Sequence, residues 1–373
     1  MTEHANAGHP EPDMVQLLTP EGLRVAHPDY PLDITDDEIG SLYRDLVLVR
    51  RFDAEAVALQ RQGELGLWAS MLGQEAAQIG AGRALGPRDM AFPTYREHGV
   101  AWCRGIDPLD LLALYRGTTV GGFDPRIHNF NMYTIIIGAQ TLHAAGYAMG
   151  VVRDGDVGTG DPARDTAVLA FFGDGASSQG DVNESFVWAA AENLPLVYLC
   201  QNNQWAISAP VSIQSPVPLY QRAAGFGFRG LRVDGNDVLA CLAVTRKALA
   251  DARDAQGPTL IEAFTYRMGP HTSSDDPTRY RLAAELERWK RKDPIARVHA
   301  YLSRQAGFSP DFFASIEAES EQLAIRVRAG CRALPDPGTA EVFDHVYVAP
   351  PPELLEQRAE FAAFVASVGG GAA

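Results

Sequence analysis

Two short apolar segments of the chain each end in small polar residues of the types that bind metals and anions. The first segment ends in Gly173-Asp174-Gly175 and the second in Asn202-Asn203. Glycines let the backbone approach a ligand closely, and carboxylate and amide oxygens are ligands that Mg²⁺ accepts. The turn at 204–206 can offer a carbonyl oxygen as well. Such an incomplete oxygen shell suits a Mg²⁺ ion that takes its other ligands from phosphates and water, so a diphosphate compound is the expected partner.

The segment between these motifs predicts one helix. We expect Ser177 to cap it, because serine oxygens accept hydrogen bonds from helix N-termini. Apolar residues then follow at helical spacing, at Phe186, Val187, Ala190 and Leu194. A right-handed crossover through this helix places the two strands in one parallel sheet, with both motifs beyond their carboxyl ends. Each motif alone also occurs commonly in ordinary turns that bind nothing. Only the combination of the two motifs at this spacing favours a ligand site.

The rest of the chain predicts an α/β fold, a parallel sheet with helices on both faces and a helical C-terminal region. A capping box at Thr35 and Glu38 begins the first long helix. Further helices are expected at 73–82, 138–150, 238–253, from 282 onward, and at 353–367. Further strands are expected at 89–93, 228–234, 258–265 and 342–348. We divide the chain into an arm or disordered tail at 1–33, one domain at 34–365 and a flexible tail at 366–373.

Composition narrows the classes of function. The 373 residues include 47 acidic and 32 basic side chains, for a net charge of −15, which argues against nucleic acid or an anionic membrane as a partner. The four cysteines show neither metal-binding nor disulfide spacing and suit a reducing compartment. The first residues form neither a secretory signal nor a transit peptide, and we predict no membrane span. We therefore expect a cytoplasmic protein.

Four segments together resemble a known family over residues 34 to 365. They are Tyr95-Arg-Glu-His-Gly, Ile135-Ile-Ile-Gly-Ala-Gln140, the Gly-Asp-Gly to Asn-Asn unit, and Thr265-Tyr-Arg-Met-Gly-Pro-His-Thr-Ser-Ser-Asp-Asp276. In this order they resemble the α subunit of the E1 component of 2-oxo acid dehydrogenase complexes, which depends on thiamin diphosphate. The last segment looks more like the branched-chain type than the pyruvate type.

The resemblance implies thiamin diphosphate and Mg²⁺ as cofactors, and it implies a role for each matching position. Tyr95, Arg96 and Arg267 would contact the diphosphate, together with backbone groups of Gly173, Gly175 and Ala176. Asp174, Asn203 and the carbonyl of Trp205 would hold Mg²⁺. Ile135 and Ile137 would support the aminopyrimidine, and His271 would stabilise intermediates and assist acyl transfer. Each role has an ordinary alternative: the arginines could be exposed surface charges, the isoleucines could belong to a plain core helix, and His271 could be a solvated loop residue.

The resemblance also suggests a substrate pocket and one departure from the family pattern. Leu67, Trp68 and Thr94 match pocket positions in relatives. Gln201 stands where branched-chain relatives often have an arginine, which removes one charge directed at the phosphates. Pocket volume does not follow from sequence, so the preferred 2-oxo acid stays open between branched-chain acids and pyruvate or acetoin.

Partners follow from what the chain lacks. In this family a β subunit supplies the glutamate that acts on the pyrimidine ring, so the resemblance implies an α₂β₂ heterotetramer with the cofactor at an interface. It also implies the lipoyl domain of an E2 partner and a small 2-oxo acid substrate. The small-residue helices at 73–82 and 138–150 are candidate surfaces between subunits, although such residues also suit an ordinary core. A catalytically silent scaffold subunit of the same fold is the alternative from a different class.

Overall fold

The computed structural model describes residues 14–119, 121–338 and 340–368. The described chain contains a six-stranded sheet in the order β1-β7-β8-β4-β3-β2, and all its paired strands are parallel. A separate antiparallel hairpin joins β5 to β6. The strands are β1 (Met14–Val15), β2 (Met90–Phe92), β3 (Val168–Gly173), β4 (Leu196–Asn202), β5 (Trp205–Ala206), β6 (Ala209–Pro210), β7 (Arg229–Asp234) and β8 (Thr259–Phe264).

Helices cover both faces of the sheet and form the C-terminal region, as the sequence predicted. The helices are α1 (Asp36–Arg61), α2 (Glu75–Ala84), α3 (His98–Cys103), α4 (Pro108–Arg116), α5 (Pro125–His128), α6 (Ala139–Asp154), α7 (Gly180–Ala191), α8 (Arg222–Phe226), α9 (Val238–Arg253), α10 (Ala283–Lys290), α11 (Pro294–Leu302), α12 (Pro310–Ala333), α13 (Glu341–Asp344) and α14 (Pro352–Ser367). The predicted capping box is present, with Thr35 and Glu38 each bonded to the backbone amide of the other.

The central strands are mostly apolar because both of their faces are covered, and Glu262 in β8 is a buried exception that is paired with Arg232. In β3, Leu169 and Phe171 pack with α1, α2 and α9, whereas Val168, Ala170 and Phe172 pack with α6 and α7. All of β4 is buried. Polar side chains that face a ligand are therefore confined to the strand ends and the loops that follow them.

The two small-residue helices have different surroundings. Helix α2 lies inside the domain against α9, and a Cβ atom on its Gly80 would lie 2.6 Å from Cys241 Cβ. The expectation that it contacts another subunit is therefore wrong. Helix α6 is buried on one side only. On its other side Tyr147 is exposed, and a Cβ atom on Gly146 would meet nothing within 4 Å.

Part of the predicted arm joins the sheet. Strand β1 pairs with β7, and Asp237 accepts hydrogen bonds from the backbone amides of Leu17 and Leu18 at 2.7 and 2.6 Å. Buried Arg297 donates to the Leu18 carbonyl and to Asp234, so this segment is fixed against the domain. Residues 1–13 of the predicted arm and residues 369–373 of the predicted tail lie outside the described residues.

Two local predictions were wrong. The segment 342–348 is not a strand: it contains α13, and Val342, Val346, Tyr347 and Val348 are all exposed. An alternating apolar pattern forms a strand only where a sheet edge is available to pair with it. Ser177 does not cap α7, because its hydroxyl donates to the Asp174 carbonyl within a 3₁₀ helix (Asp174–Ser178), and α7 begins at Gly180.

The contrast between α2 and α6 gives a stability test. Gly80→Ala should destabilise the protein by about 1–3 kcal/mol, because the added methyl group overpacks the contact with α9. Gly146→Ala should be neutral or stabilising by up to about 1 kcal/mol, because alanine favours an exposed helix. Urea unfolding of both variants measures this. Equal effects of the two substitutions would contradict the inside and outside assignment of the helices.

Candidate active site

A cavity of about 250 Å³ lies at the carboxyl ends of β3, β4 and β8. The fold brings there, from five separate segments, all but one of the residues that the sequence predicted for catalysis and for binding the cofactor and the metal. They are Tyr95, Arg96, Ile137, Gly173, Asp174, Gly175, Ala176, Asn203, Trp205, Arg267 and His271. The exception is Ile135, which does not line the cavity and is 69% exposed on the loop before α6.

Asp174 is a buried carboxylate at the end of β3. Its side chain is 1% exposed and accepts a long hydrogen bond from Gln214 Nε2 at 3.3 Å. Burial raises the pKa of Asp174 to about 6, although nearby Arg267 and the backbone amide of Asn203 act in the opposite direction. A desolvated carboxylate with so little compensation is a favourable ligand for a cation.

The glycines on either side of Asp174 keep space free for a ligand. A Cβ atom on Gly173 would meet no other atom within 4 Å and would extend into the open space of the cavity. A Cβ atom on Gly175 would lie 2.7 Å from the Cβ of Ala206. A side chain at Gly173 would therefore occupy the cavity, and one at Gly175 would displace the hairpin of β5 and β6.

Asn203 and Trp205 form the second polar wall. Asn203 Nδ2 donates to Gln74 Oε1 at 3.1 Å, and its Oδ1 accepts a weak bond from Trp205 N at 3.3 Å. The Trp205 carbonyl accepts a hydrogen bond from Arg267 Nη1 at 2.7 Å. A metal ion on that carbonyl would use its second lone pair. Within the described ranges, no group of three or more His, Cys, Asp or Glu side chains is arranged to hold a metal ion, so a metal here would depend on a single carboxylate.

Two buried guanidinium groups line the cavity, and both donate to backbone carbonyls. Arg96 donates to Ser70 O at 2.5 Å and to His271 O at 2.8 Å. Arg267 donates to Trp205 O and to Ile207 O, both at 2.7 Å. Burial and the charge of Arg96 lower the pKa of Arg267. Since carbonyl oxygens stabilise these cations without neutralising them, both guanidinium groups keep their charge for an anion, although the carboxylates of Asp174 and Glu97 line the same cavity.

His271 is held between the two arginines as a neutral imidazole. Its Nδ1 lies 3.4 Å from Arg96 Nη2 and 3.3 Å from Arg267 Nη1. Guanidinium nitrogens only donate, so Nδ1 accepts and Nε2 carries the proton. Burial, followed by the charges of Arg96 and Arg267, lowers the pKa of His271 to about 3. The group can donate a hydrogen bond from Nε2 near neutral pH, and its catalytic role stays a prediction.

The predicted substrate pocket is only partly in place. Thr94 lines the cavity, but Leu67 and Trp68 do not. Trp68 is fully buried, stacks on His98 with ring centroids 4.2 Å apart, and donates through Nε1 to Asp53. It supports the loop behind the cavity because the indole fills the space between α1 and α3.

Several cavity residues carry no sequence signal that could have identified them. Gln201, where we expected the loss of a phosphate-directed charge, donates instead to buried Glu97 at 2.6 Å. Gln74 and Gln140 also line the cavity and are buried. In the described part of the chain, Gln74 Nε2 and Gln140 Oε1 have no hydrogen-bond partner. Isolated glutamines follow no spacing rule, so only the three-dimensional arrangement reveals them.

Fold and site together define an α/β protein with a cavity at the carboxyl edge of a parallel sheet, lined by groups that could bind an anion. The chain belongs to the dehydrogenase E1 component family, whose model matches residues 43–324. None of the helices described here is long and apolar enough to cross a membrane. The cysteines Cys103, Cys200, Cys241 and Cys331 are all free thiols.

The similar proteins are named for two different enzymes, 3-methyl-2-oxobutanoate dehydrogenase and pyruvate dehydrogenase. The chain is 44% identical over 353 residues to the 3-methyl-2-oxobutanoate dehydrogenase subunit alpha of Mycobacterium tuberculosis, covering 94% of each protein. It is 38% identical over 335 residues to the pyruvate dehydrogenase E1 component subunit alpha of Acholeplasma laidlawii, covering 88% of this chain and 93% of that protein. The corresponding protein of Staphylococcus epidermidis is 38% identical over 301 residues, 80% of this chain and 79% of its own length.

The raised pKa of Asp174 predicts a gain in stability when its charge is removed. Because the folded pKa of about 6 exceeds the usual 3.8, the metal-free protein loses stability as the pH rises from about 4 to 6. Asp174→Asn should raise the free energy of unfolding above pH 6 by up to about 3 kcal/mol. Urea unfolding in EDTA at pH 5 and pH 7.5 measures the difference.

Asp237 provides the matched control. Burial raises its pKa to about 6 as well, but its two oxygens accept four backbone N–H bonds, from Leu17, Leu18, Leu239 and Ala240. Asp237→Asn would turn one acceptor into a donor that faces donors, so it should destabilise the protein at the same pH. Loss of stability in Asp174→Asn would contradict the interpretation that the buried charge of Asp174 destabilises the metal-free protein.

Proposed function

We propose that the chain is the α subunit of a thiamin-diphosphate-dependent E1 enzyme that decarboxylates a branched-chain 2-oxo acid and transfers the acyl group to a lipoyl group of an E2 partner. The observation that carries the substrate class is the 44% identity, over 94% of the chain, to a 3-methyl-2-oxobutanoate dehydrogenase subunit alpha. The proposal is supported by a cavity with the carboxylate, amide and guanidinium groups that a magnesium diphosphate requires.

The residues of the cavity fit this cofactor. Asp174, Asn203 and the Trp205 carbonyl would hold Mg²⁺, and the burial of the Asp174 carboxylate, which outweighs the groups that stabilise its charge, supports this assignment. Tyr95, Arg96 and Arg267 would bind the diphosphate, with backbone groups of Gly173, Gly175 and Ala176. Ile137 lines the cavity and would support the aminopyrimidine, whereas the same role for Ile135 stays a prediction because Ile135 does not line the cavity. When bound, thiamin diphosphate supplies the electron sink for decarboxylation, while the protein supplies placement and charge.

His271 would act by donating a hydrogen bond. Its Nδ1 is turned toward the two arginines, so Nε2–H is the ring atom available to a reacting oxygen. Asp275 fixes the backbone at this position, because its Oδ2 accepts from the amide His271 N at 2.7 Å and from Tyr280 OH at 2.5 Å. A preorganised neutral donor stabilises developing negative charge and needs no change of protonation before the reaction.

A β subunit would complete the site. Ile136 and Ile207 are exposed, and Ile137 and Ile207 line the cavity. On the same face of the sheet as α6, Trp188 of α7 is exposed as well. Exposed apolar groups beside a polar cavity are typical of a surface that another protein covers. We therefore keep the α₂β₂ heterotetramer, the lipoyl domain of E2 and a cytoplasmic location as parts of the proposal.

Pyruvate is the second candidate substrate, because two relatives at 38% identity are pyruvate dehydrogenase E1 component subunits alpha. A silent scaffold is disfavoured by the cavity itself. A scaffold has no need to keep the charged side chains of Asp174, Arg96 and Arg267 buried around an open cavity, because burying charged groups costs free energy.

The substrate comparison tests the function directly. With a co-expressed β subunit, kcat/KM should be higher for 3-methyl-2-oxobutanoate than for pyruvate, by roughly tenfold or more, because extra methyl groups contribute about 1–3 kcal/mol in an apolar pocket. The chain alone should be inactive with both acids. A preference for pyruvate would contradict the branched-chain assignment, and decarboxylation by a monodisperse α-only sample would contradict the shared site.

The role of His271 makes a separate prediction. His271→Ala should lower the rate of reductive acylation of a lipoyl domain by about 10²-fold or more, with little change in the dissociation constant of thiamin diphosphate. His27→Ala is the control, because His27 lies in the N-terminal segment and does not line the cavity. Single-turnover kinetics and calorimetry separate the two effects. An unchanged acylation rate in His271→Ala would leave His271 as a structural loop residue.

A further inference from the structure

Gln74 has a buried polar atom that the interactions described above do not use. It precedes α2, its side chain is 1% exposed, and it lines the cavity. In the described residues its Nε2 donates to nothing, although leaving a buried amide nitrogen unpaired costs free energy. An unpartnered donor in a ligand-sized cavity indicates an acceptor on the ligand.

The backbone around Gln74 is rigid. Gly73 has a φ of +94°, and a Cβ atom there would collide with the carbonyl of Tyr266. Its amide donates to Glu75 Oε2 at 2.9 Å, and its carbonyl accepts from Thr265 Oγ1 at 2.7 Å. Glu75 is in turn paired with Arg50. These contacts fix the position from which the Gln74 side chain enters the cavity.

The other end of the same amide fixes Asn203. Gln74 Oε1 accepts from Asn203 Nδ2 at 3.1 Å, which determines how the Asn203 amide is oriented. Asn203 Oδ1 then points away from Gln74 and has only a weak 3.3 Å bond, from Trp205 N. Without this contact the amide could rotate and present NH₂, which cannot ligate a cation, in place of the oxygen. Such outer contacts typically orient metal ligands.

Gln140 is a second buried amide at the cavity, and it differs from Gln74 in the atom that it leaves unpartnered. Gln140 Nε2 donates to Phe171 O at 2.8 Å, and the atom that it leaves unpartnered within the described chain is an acceptor, Oε1. Gln74 leaves a donor. Of these two buried amides, only the one on Gln74 can therefore bind an anionic oxygen. Its connection to Asn203 places it beside the groups that would hold Mg²⁺ and the diphosphate.

We propose that Gln74 positions Asn203 for metal binding through Oε1 and donates through Nε2 to a diphosphate oxygen. This inference rests on the proposed cofactor. One amide would link the metal ligand to the anion that completes the metal's coordination. Cation and anion binding would therefore both depend on a side chain that touches neither substrate nor the reacting carbon.

Two substitutions separate the two roles in the enzyme assembled with its β subunit. Gln74→Met keeps the length of the side chain but removes both polar atoms. Gln74→Glu keeps an acceptor for Asn203 Nδ2 and removes the donor. Gln179→Met is the control, because Gln179 lies at the same cavity with an exposed side chain. Calorimetry measures the affinity for Mg²⁺·thiamin diphosphate and for Mg²⁺·pyrophosphate without turnover, and thermal unfolding confirms that each variant is folded.

Gln74→Met should bind both diphosphates about tenfold more weakly, since a hydrogen bond to a charged group is lost. Gln74→Glu should weaken binding at least as much, because its carboxylate also repels the diphosphate. The half-saturating Mg²⁺ concentration is measured with the cofactor at ten times each variant's own dissociation constant. It should rise at least fivefold in Gln74→Met and stay within twofold of wild type in Gln74→Glu. Gln179→Met should match wild type throughout.

The contrary outcomes are distinct. Wild-type protein that binds no Mg²⁺·thiamin diphosphate would overturn the proposed function. Wild-type binding with unchanged diphosphate affinity in both Gln74 variants would overturn the donor role alone. Equal increases of the Mg²⁺ requirement in Gln74→Glu and Gln74→Met would overturn the positioning role, because the glutamate oxygen would then have failed to replace the amide oxygen.

Discussion

The site depends on how two buried guanidinium groups are stabilised. Arg96 and Arg267 take their hydrogen bonds from the backbone carbonyls of Ser70, His271, Trp205 and Ile207. A carboxylate partner would have lowered the cost of burial further, but it would also have cancelled the charge. Neutral acceptors bond to the terminal nitrogens without cancelling the charges, and in the described residues Arg267 Nε has no partner at all. The protein thus keeps two cations ready for an anionic ligand, at some expense in stability.

This arrangement is supported from behind by a buried carboxylate on α1. Asp53 accepts from Trp68 Nε1 at 2.8 Å, Ser70 Oγ at 2.5 Å and Met71 N at 3.1 Å, and burial raises its pKa to about 6. Because Ser70 O is one of the acceptors for Arg96, the position of that guanidinium depends on this loop. Trp68, expected in the substrate pocket, instead contributes to holding the loop. The long helix α1 therefore determines the shape of a cavity that none of its own residues line.

The sequence predicted those parts of the structure that follow local rules. The strands β3 and β4 are apolar because both sheet faces are covered, and their ends carry Asp174 and Asn203 because polar groups have no other place in such strands. Ser177 failed as a cap because its hydroxyl is used by the Asp174 carbonyl one turn earlier. The strand prediction for 342–348 was wrong because an alternating apolar pattern does not show whether the edge of a sheet is available for pairing. Gln74 was not predicted, because its importance arises from contacts with residues distant in sequence.

The state of His271 follows from the same two cations. Burial lowers its pKa first, and Arg96 and Arg267 lower it further. A diphosphate bound to these arginines would oppose the second cause but not the first, so the imidazole would remain a neutral donor in both states. The two arginines set the orientation of its ring, and Asp275 holds its backbone. The chemical role of the ring depends on which group faces Nε2. On the proposed function, the chain would fix one half of a reaction site before a partner binds. The isoleucines at the rim are exposed, so the exclusion of water would require a protein that covers them. This division would explain why a preorganised cavity lies on a chain expected to be inactive alone.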